Sequence, residues 1–273
     1  MTEIGSWVTV RVHPGSNRDA VIAALFESGA QGIQEVGESI VTQVASQALA
    51  EELEQAALAA SSDAVVSTAP LPDVDWSEQW KQGIHAQVLG GLTVAPPWLA
   101  GDLDPESSIV IEPGMAFGTG EHATTRGVIR LMQTVVRPGD RVADLGSGSA
   151  VLAIAAAKLG ARHASCVDID PQALIATRDN ATANEVGARV QVYEAADDLP
   201  RPVDFLVANI LSGPLCQLAP SFAALIRPGG SLVLAGLMEH QAAEVAEAHS
   251  AWFDMRPFGK RDDWLGLSGR RRF

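Results

Sequence analysis

Residues 141–161 read RVADLGSGSAVLAIAAAKLGA. A short apolar strand over 141–145 stops at a glycine-rich turn, Gly146-Ser147-Gly148-Ser149-Ala150, and runs directly into an apolar helix over 149–159. Glycine suits such a turn because no Cβ keeps a ligand from the backbone. The spacing is Gly-x-Gly-x-Ala and not the Gly-x-Gly-x-x-Gly of dinucleotide folds, so a nucleoside without phosphates suits the loop better than a pyrophosphate. On this spacing alone, a tight strand-to-helix turn without a ligand remains a competing account.

Downstream, the strand HASCVDID reaches Asp168 twenty-two residues after Gly146. A carboxylate at the carboxyl end of that strand can accept both hydroxyls of a ribose. Asp170, followed by Pro171, reads as a helix N-cap. The strand VDFLVANIL (203–211) carries Asn209 near its end, with Pro214 close behind. An amide there offers both an acceptor and a donor with which to orient an attacking amine. A turn-capping asparagine is the equal alternative. Strands at 141–145, 164–168, 189–193, 203–209 and 231–235 alternate with helices at 149–159, 171–184, 213–226 and 239–249, the pattern of a doubly wound α/β sheet. The segments 252–258 and 264–269 have no helix between them and read as a terminal antiparallel hairpin, which nicotinamide dehydrogenase folds do not normally carry.

Upstream, residues 6–13 alternate as a strand, and Ser16 or Asn17 is placed to cap a helix running to about Ala30 with Val21, Ala24 and Leu25 on its apolar face. A hairpin over 32–36 and 39–45, a helix over 47–60 and a strand over 64–68 complete the order βαββαβ, which predicts a small ferredoxin-like α+β domain over residues 1–68. APLPDVDW opens a linker at 69–85 with a short helix near Trp76 to Gln82. The second domain, 86–273, begins with a hairpin around Gly90-Gly91, a strand at 108–112, a glycine-rich loop at 114–120 and a helix over 122–136. Trp76 and Trp80, four apart, read as interdomain packing.

The chain has 273 residues, 47% of them hydrophobic and 19% charged, which excludes a disordered polymer or a fibrous repeat. Nineteen Lys plus Arg against 33 Asp plus Glu leave a formal charge of -14, a poor match to nucleic acid or an anionic membrane and a better one to a basic protein partner. Two cysteines, Cys166 and Cys216, fit neither a disulfide framework nor paired metal ligands, and the six histidines never form His-Glu-x-x-His, so no metal is expected. Cys166 lies within an apolar strand and reads as core. The N-terminus lacks a basic segment followed by an apolar run, and other apolar stretches are short, which predicts a soluble cytoplasmic protein. Arg270, Arg271 and Arg272 read as a solvated basic tail. Oligomeric state is left open.

The strand-end residues together look like a class I S-adenosylmethionine-dependent methyltransferase. The stretch EPGMAFGTGEHATT (112–125) resembles the signature of the PrmA family, the methyltransferases of ribosomal protein L-eleven (L11). Asp75-Trp76, Pro97-Trp98, the Asp144 loop, residues 167–171 and residues 207–211 continue the similarity over most of 75–273. Ala150 departs from it, standing where such families usually carry a third glycine. The resemblance implies that Thr125, Gly146, Asp168 and Asn209 contact S-adenosylmethionine, with Gly148 beside them. It also implies that Phe117, Gly118 and Thr119 close over the methionine end and the reacting centre, which makes Asn209, Phe117 and Thr119 the catalytic candidates. His122 reads equally well as a helix-start residue contacting backbone and is not assigned as a base.

The activity implied is transfer of methyl groups to lysine ε-amines and the N-terminal α-amine of L11, with S-adenosyl-L-homocysteine as product. The competing readings are a lysine methyltransferase of another protein, which residues 1–68 would decide, and a nicotinamide-dependent dehydrogenase, opposed by the glycine spacing and the hairpin. A non-catalytic S-adenosylmethionine-binding module is disfavoured by Asn209 and the Phe117 loop.

Overall fold

The computed structural model describes residues 7–71, 80–114, 118 and 120–273, the side chains of Trp80 and Gln82 excepted. Its chain divides into two compact units, Met1–Gly83 and Ile84–Phe273. The helix expected at Trp76 falls largely outside the described residues; Trp80–Gly83 form a single 3-10 turn.

In the first unit the described elements follow the expected order: β1 (Val8–His13), α1 (Arg18–Glu27), β2 (Gln34–Val36), β3 (Ser39–Val44), α2 (Gln47–Ala60) and β4 (Val65–Pro70). The antiparallel sheet runs β2-β3-β1-β4. Period-2 alternation on β1 buries Val8, Val10 and Val12 against Val21 and Leu25 of α1 and Leu53 and Ala57 of α2. Each of these leucines contributes about 1.5–3 kcal/mol by leaving water. The Ser46 hydroxyl accepts from Leu49 N–H at 3.2 Å and starts α2. At α1 the expected cap is not made: Asn17 holds the cap position without a side-chain bond to the helix, while the Ser16 hydroxyl donates to Asp63. The helix also ends at Glu27, ahead of Ala30, because Gly29 turns the chain at φ +103°. β4 runs two residues past 68, into the expected linker, with Pro70 paired to Val8.

The second unit opens with a small sheet of β5 (Gln87–Val88), β6 (Thr93–Ala95) and β7 (Ser108–Val110). Then follow α3 (Ala123–Val135), β8 (Arg141–Leu145), α4 (Val151–Lys158), β9 (His163–Val167), α5 (Pro171–Ala183), β10 (Val190–Tyr193), β11 (Val203–Asn209), α6 (Ser212–Gln217), α7 (Ala219–Leu225), β12 (Ile226–Met238), α8 (Ala242–His249), β13 (Phe253–Arg261) and β14 (Trp264–Arg271). The strands order as β10-β9-β8-β11-β12-β14-β13, the first five parallel and β14 antiparallel to both its neighbours. Alternate strand residues enter opposite layers: Val142, Cys166 and Val207 face the core that includes α3 and α4, whereas Ala143, Val167 and Ala208 face Leu215, Phe222 and Val245 of α6, α7 and α8. Strand order reverses at β8, with β9 on one side and β11 on the other, so a crevice opens beyond the carboxyl ends of these strands.

Three expectations need correction. The helix expected over 213–226 is two helices broken at Leu218, because Pro220 cannot donate within a continuous helix. β12 starts at Ile226 and not at 231; its Arg227-Pro228-Gly229-Gly230 stretch enters through a register shift opposite Val203 and Phe205. Arg270 and Arg271 end β14 and Arg272 follows it: Arg270 donates to the Gly229 carbonyl, Arg271 to the Ile226 carbonyl, and Arg272 to Asp254 at 2.6 Å and to the Ser250 carbonyl at 2.8 Å.

The turn between β8 and α4 carries positive φ at Gly146 (+77°), Gly148 (+52°) and Ala150 (+65°), and Ala150 is fully buried. A left-handed alanine costs about 1–2 kcal/mol. Ala150→Gly relieves that cost but loses a buried methyl and orders a freer chain, at roughly 0.8 and 0.4–1 kcal/mol. Calorimetry should therefore find it within about 1 kcal/mol of the parent, whereas the β-branched Ala150→Val should lose about 3 kcal/mol. Equal melting of the two variants would contradict this account of the turn.

Candidate cofactor and transfer site

The carboxyl ends of β8 and β9 are sewn together by backbone donors. Gly146 N–H and Ser147 N–H reach the Val167 carbonyl at 2.8 and 3.2 Å. Gly148 N–H donates to Asp168 Oδ2 at 2.8 Å and Asp170 N–H to Oδ1 at 3.0 Å. Asp168 is thereby fixed yet half-exposed, and each oxygen keeps acceptor capacity, the set that a vicinal diol requires. Asp170 caps α5 as expected, accepting from Gln172 N–H at 2.9 Å. Ile169 between them is fully exposed, an apolar side chain next to the polar one. Gly146 answers a second need: a Cβ there would collide with the Ile210 side chain, which sits just beyond Asn209.

Behind the loop lies a polar stripe that patterning did not reveal. On α5, Thr177 and Asn180 are buried, as is Asn184 at its C-cap. Thr177 donates to the Gly148 carbonyl at 3.2 Å, Asn180 Nδ2 to the Ser149 carbonyl at 2.9 Å, and Asn180 Oδ1 accepts from Glu112 N–H at 3.2 Å. Asn184 brackets Val110, accepting its N–H at 2.7 Å and donating to its carbonyl at 2.6 Å. The signal available was polar residues at helical spacing three, then four, apart. Ser149 donates to the Gly118 carbonyl at 2.6 Å and joins the two glycine loops; Gly118 itself turns at φ +105°. Phe117 and Thr119 lie outside the described residues.

At the end of β11, Asn209 Nδ2 donates to Thr124 Oγ1 at 3.4 Å and to Thr125 Oγ1 at 3.3 Å, on the first turn of α3. Both bonds are long for N–H···O contacts. The amide makes no cap to the following helix, whose N-cap is Leu211. Thr125 is almost completely buried. His122 occupies the N-cap of α3, its Nδ1 accepting from Thr124 N–H at 3.4 Å, and its ring stands edge-on to Trp264 at 4.7 Å. Gly236 on β12 is a further residue that sequence reading missed: a Cβ there would lie 2.7 Å from the Ile210 carbonyl oxygen and 3.1 Å from Asn209 Oδ1.

Asp144, last-but-one on β8, is buried. Its Oδ2 accepts from Ala153 N–H at 3.1 Å, while Oδ1 has no partner among the described residues. Burial pushes its carboxyl up to about 7, against the lowering pull of the Ala153 N–H, and the neighbouring Asp168 charge adds to the rise. Asp168 thus sets a negative field at the turn, to which Asp144, titrating near neutrality, adds in part.

These features fit S-adenosylmethionine. A left-handed glycine turn gives backbone access, Asp168 retains acceptors beside an exposed apolar face, and the orphaned oxygen of Asp144 favours positive charge. The sheet order with its antiparallel terminal pair, together with a turn unsuited to pyrophosphate, places the chain among the Rossmann-like methyltransferases that take S-adenosylmethionine as methyl donor. The chain belongs to the PrmA family, described as ribosomal protein L11 methyltransferase, whose profile matches residues 6–272. It is 47% identical over 205 residues to the ribosomal protein L11 methyltransferase of Pseudomonas paraeruginosa, covering 74% of this chain and 69% of that one. Its likeness to the Shewanella amazonensis protein of the same name is 43% over 206 residues, covering 74% and 69%. Among solved structures, the L11 methylase of Lactobacillus delbrueckii subsp. bulgaricus superposes with a TM-score of 0.62 at 29% identity, over 70% of this chain and 100% of that chain. A methyltransferase from Pyrococcus furiosus shares the fold at a TM-score of 0.53 and 16% identity, over 64% and 94%.

Replacing Asp168 by alanine should weaken S-adenosylmethionine binding by about 1–3 kcal/mol, roughly five- to 150-fold, because hydroxyls are left unpaired and the Gly148 N–H is released. Isothermal calorimetry measures this directly, and unchanged affinity would remove Asp168 from the site.

Proposed function

We propose that this chain methylates ribosomal protein L11, at lysine ε-amines and at the N-terminal α-amine, in the cytoplasm. The observation that carries the reading is Asn209: an amide at the end of a buried strand, beside the glycine turn, its nitrogen donating to the hydroxyls of Thr124 and Thr125. Bound S-adenosylmethionine supplies a methyl group already activated on a sulfonium. The protein's task is therefore positioning. Gly146, Gly148 and Thr125 hold the methionyl part, Asp168 the ribose, and Phe117, Gly118 and Thr119 serve the reacting end. Asn209 Oδ1 accepts from the incoming amine and aims its lone pair. A free lysine amine has a pKa near ~10.4, so it must shed a proton before attack; desolvation on entry lowers that value and the proton leaves to water. No side chain is assigned as a base.

The first unit, with a sheet order of β2-β3-β1-β4 and two helices, supports a ferredoxin-like reading, and we assign it to holding the protein substrate. The net charge of -14 suits a basic ribosomal protein. No helix among the described residues is long and apolar enough to cross a membrane.

Incubation with L11 and labelled S-adenosylmethionine, followed by mass mapping, tests the proposal. Label is expected on L11 lysines and its N-terminus. Asn209→Ala should slow single turnover on the order of a hundredfold through misplacement of the amine, while losing only ~1 kcal/mol of stability. Label on a different ribosomal protein with none on L11, or a parent rate in Asn209→Ala, would contradict it.

A further inference from the structure

Asparagine is useful in transfer only if the correct end of its amide faces the substrate, and the two ends have nearly the same shape. The neighbours of Asn209 decide which way it points. The Thr124 backbone N–H points at His122 Nδ1 from 3.4 Å, which favours the ring tautomer that accepts at Nδ1. In that tautomer the Thr124 hydroxyl, 2.7 Å from the same nitrogen, donates its single proton there. Its lone pairs remain to face Asn209, where only an N–H can meet them, and Nδ2 lies 3.4 Å away. A second N–H of the same amide goes to Thr125 at 3.3 Å. The nitrogen end is thus saturated against α3. The oxygen end lies over Gly236, where the absence of a Cβ leaves it room. The edge-on contact with Trp264 fixes the imidazole that starts the chain.

We propose that Thr124 is a positioning residue for methyl transfer: held by His122, its hydroxyl locks the Asn209 amide with its carbonyl toward the reacting amine. This rests on the reading of Asn209 given above. The chain of donors also polarises the amide. Donation through Nδ2 makes Oδ1 a better acceptor for an amine that becomes positively charged as it takes the methyl group. No covalent step involves Thr124 itself.

The test is single-turnover methylation of L11 at saturating S-adenosylmethionine, with cofactor affinity measured in parallel by calorimetry. Thr124→Val and Thr124→Ala both remove the hydroxyl, one keeping bulk and one not, and each should slow transfer about tenfold, a modest share of what misplacement costs. Thr124→Ser keeps the hydroxyl and should stay within about twofold of the parent, and affinity for S-adenosylmethionine should be unchanged in all three within about threefold. On an Asn209→Ala background, Thr124→Val should slow the reaction no further, since the group it positions is gone. A structural role would instead act on both backgrounds alike. Parent rates in the valine and alanine variants alongside a slow Asn209→Ala would overturn the assignment of Thr124 and leave Asn209 standing. Thr124→Ser as slow as Thr124→Val would overturn it too. A parent rate in Asn209→Ala would remove the reading of Asn209, and the inference with it.

Discussion

The hydrogen bond from Gly148 N–H to Asp168 Oδ2, 2.8 Å long, ties the turn after one central strand to the end of its neighbour. A charged acceptor makes it stronger than an ordinary backbone bond. It forms only because Gly148 takes a positive φ that aims its N–H at β9. From this tie the rest follows outward. Thr177 and Asn180 hold the carbonyls of the same turn, Ser149 hands the constraint on to Gly118, and Ile210 rests where Gly146 has no side chain. Three strand ends and one helix start are thereby set before any ligand arrives, which spares binding the cost of ordering them.

Electrostatics work in the same direction. Asp144 is buried with one oxygen unpartnered, and Asp168 stands close enough to raise its pKa further. Uptake of a proton by Asp144 relieves such a pair, and a cation at the turn would favour its ionised form.

Much of this was legible in residue pattern. The helix at 47–60, the hairpin around Gly37-Glu38, the Asp170 cap and the terminal hairpin all follow from short-range rules that depend on neighbours in sequence, and they stand as read. What escaped reading depends on distant partners. Thr177, Asn180 and Asn184 look like solvent-facing residues until the backbone groups they serve are placed against them. Pro228-Gly229-Gly230 looks like a loop, yet pairing with β11 carries β12 through it. The three terminal arginines find carbonyls and a carboxylate supplied by residues 226–254. Gly236 is needed because its φ is +81° and the Ile210 carbonyl and Asn209 Oδ1 crowd it, partners that lie on another strand end. At the site, the strand-end residues announced themselves by position and His122 as a helix-start residue contacting backbone, whereas Thr124 gave no signal.

The claim on which everything else depends is that the crevice at β8, β9 and β11 takes a phosphate-free nucleoside cation and excludes a dinucleotide. Calorimetric titration of the full chain with S-adenosylmethionine and, separately, with NAD measures that choice. Single-site binding of S-adenosylmethionine with no detectable heat from NAD is the result predicted. Saturable binding of NAD, with S-adenosylmethionine inert, would contradict it.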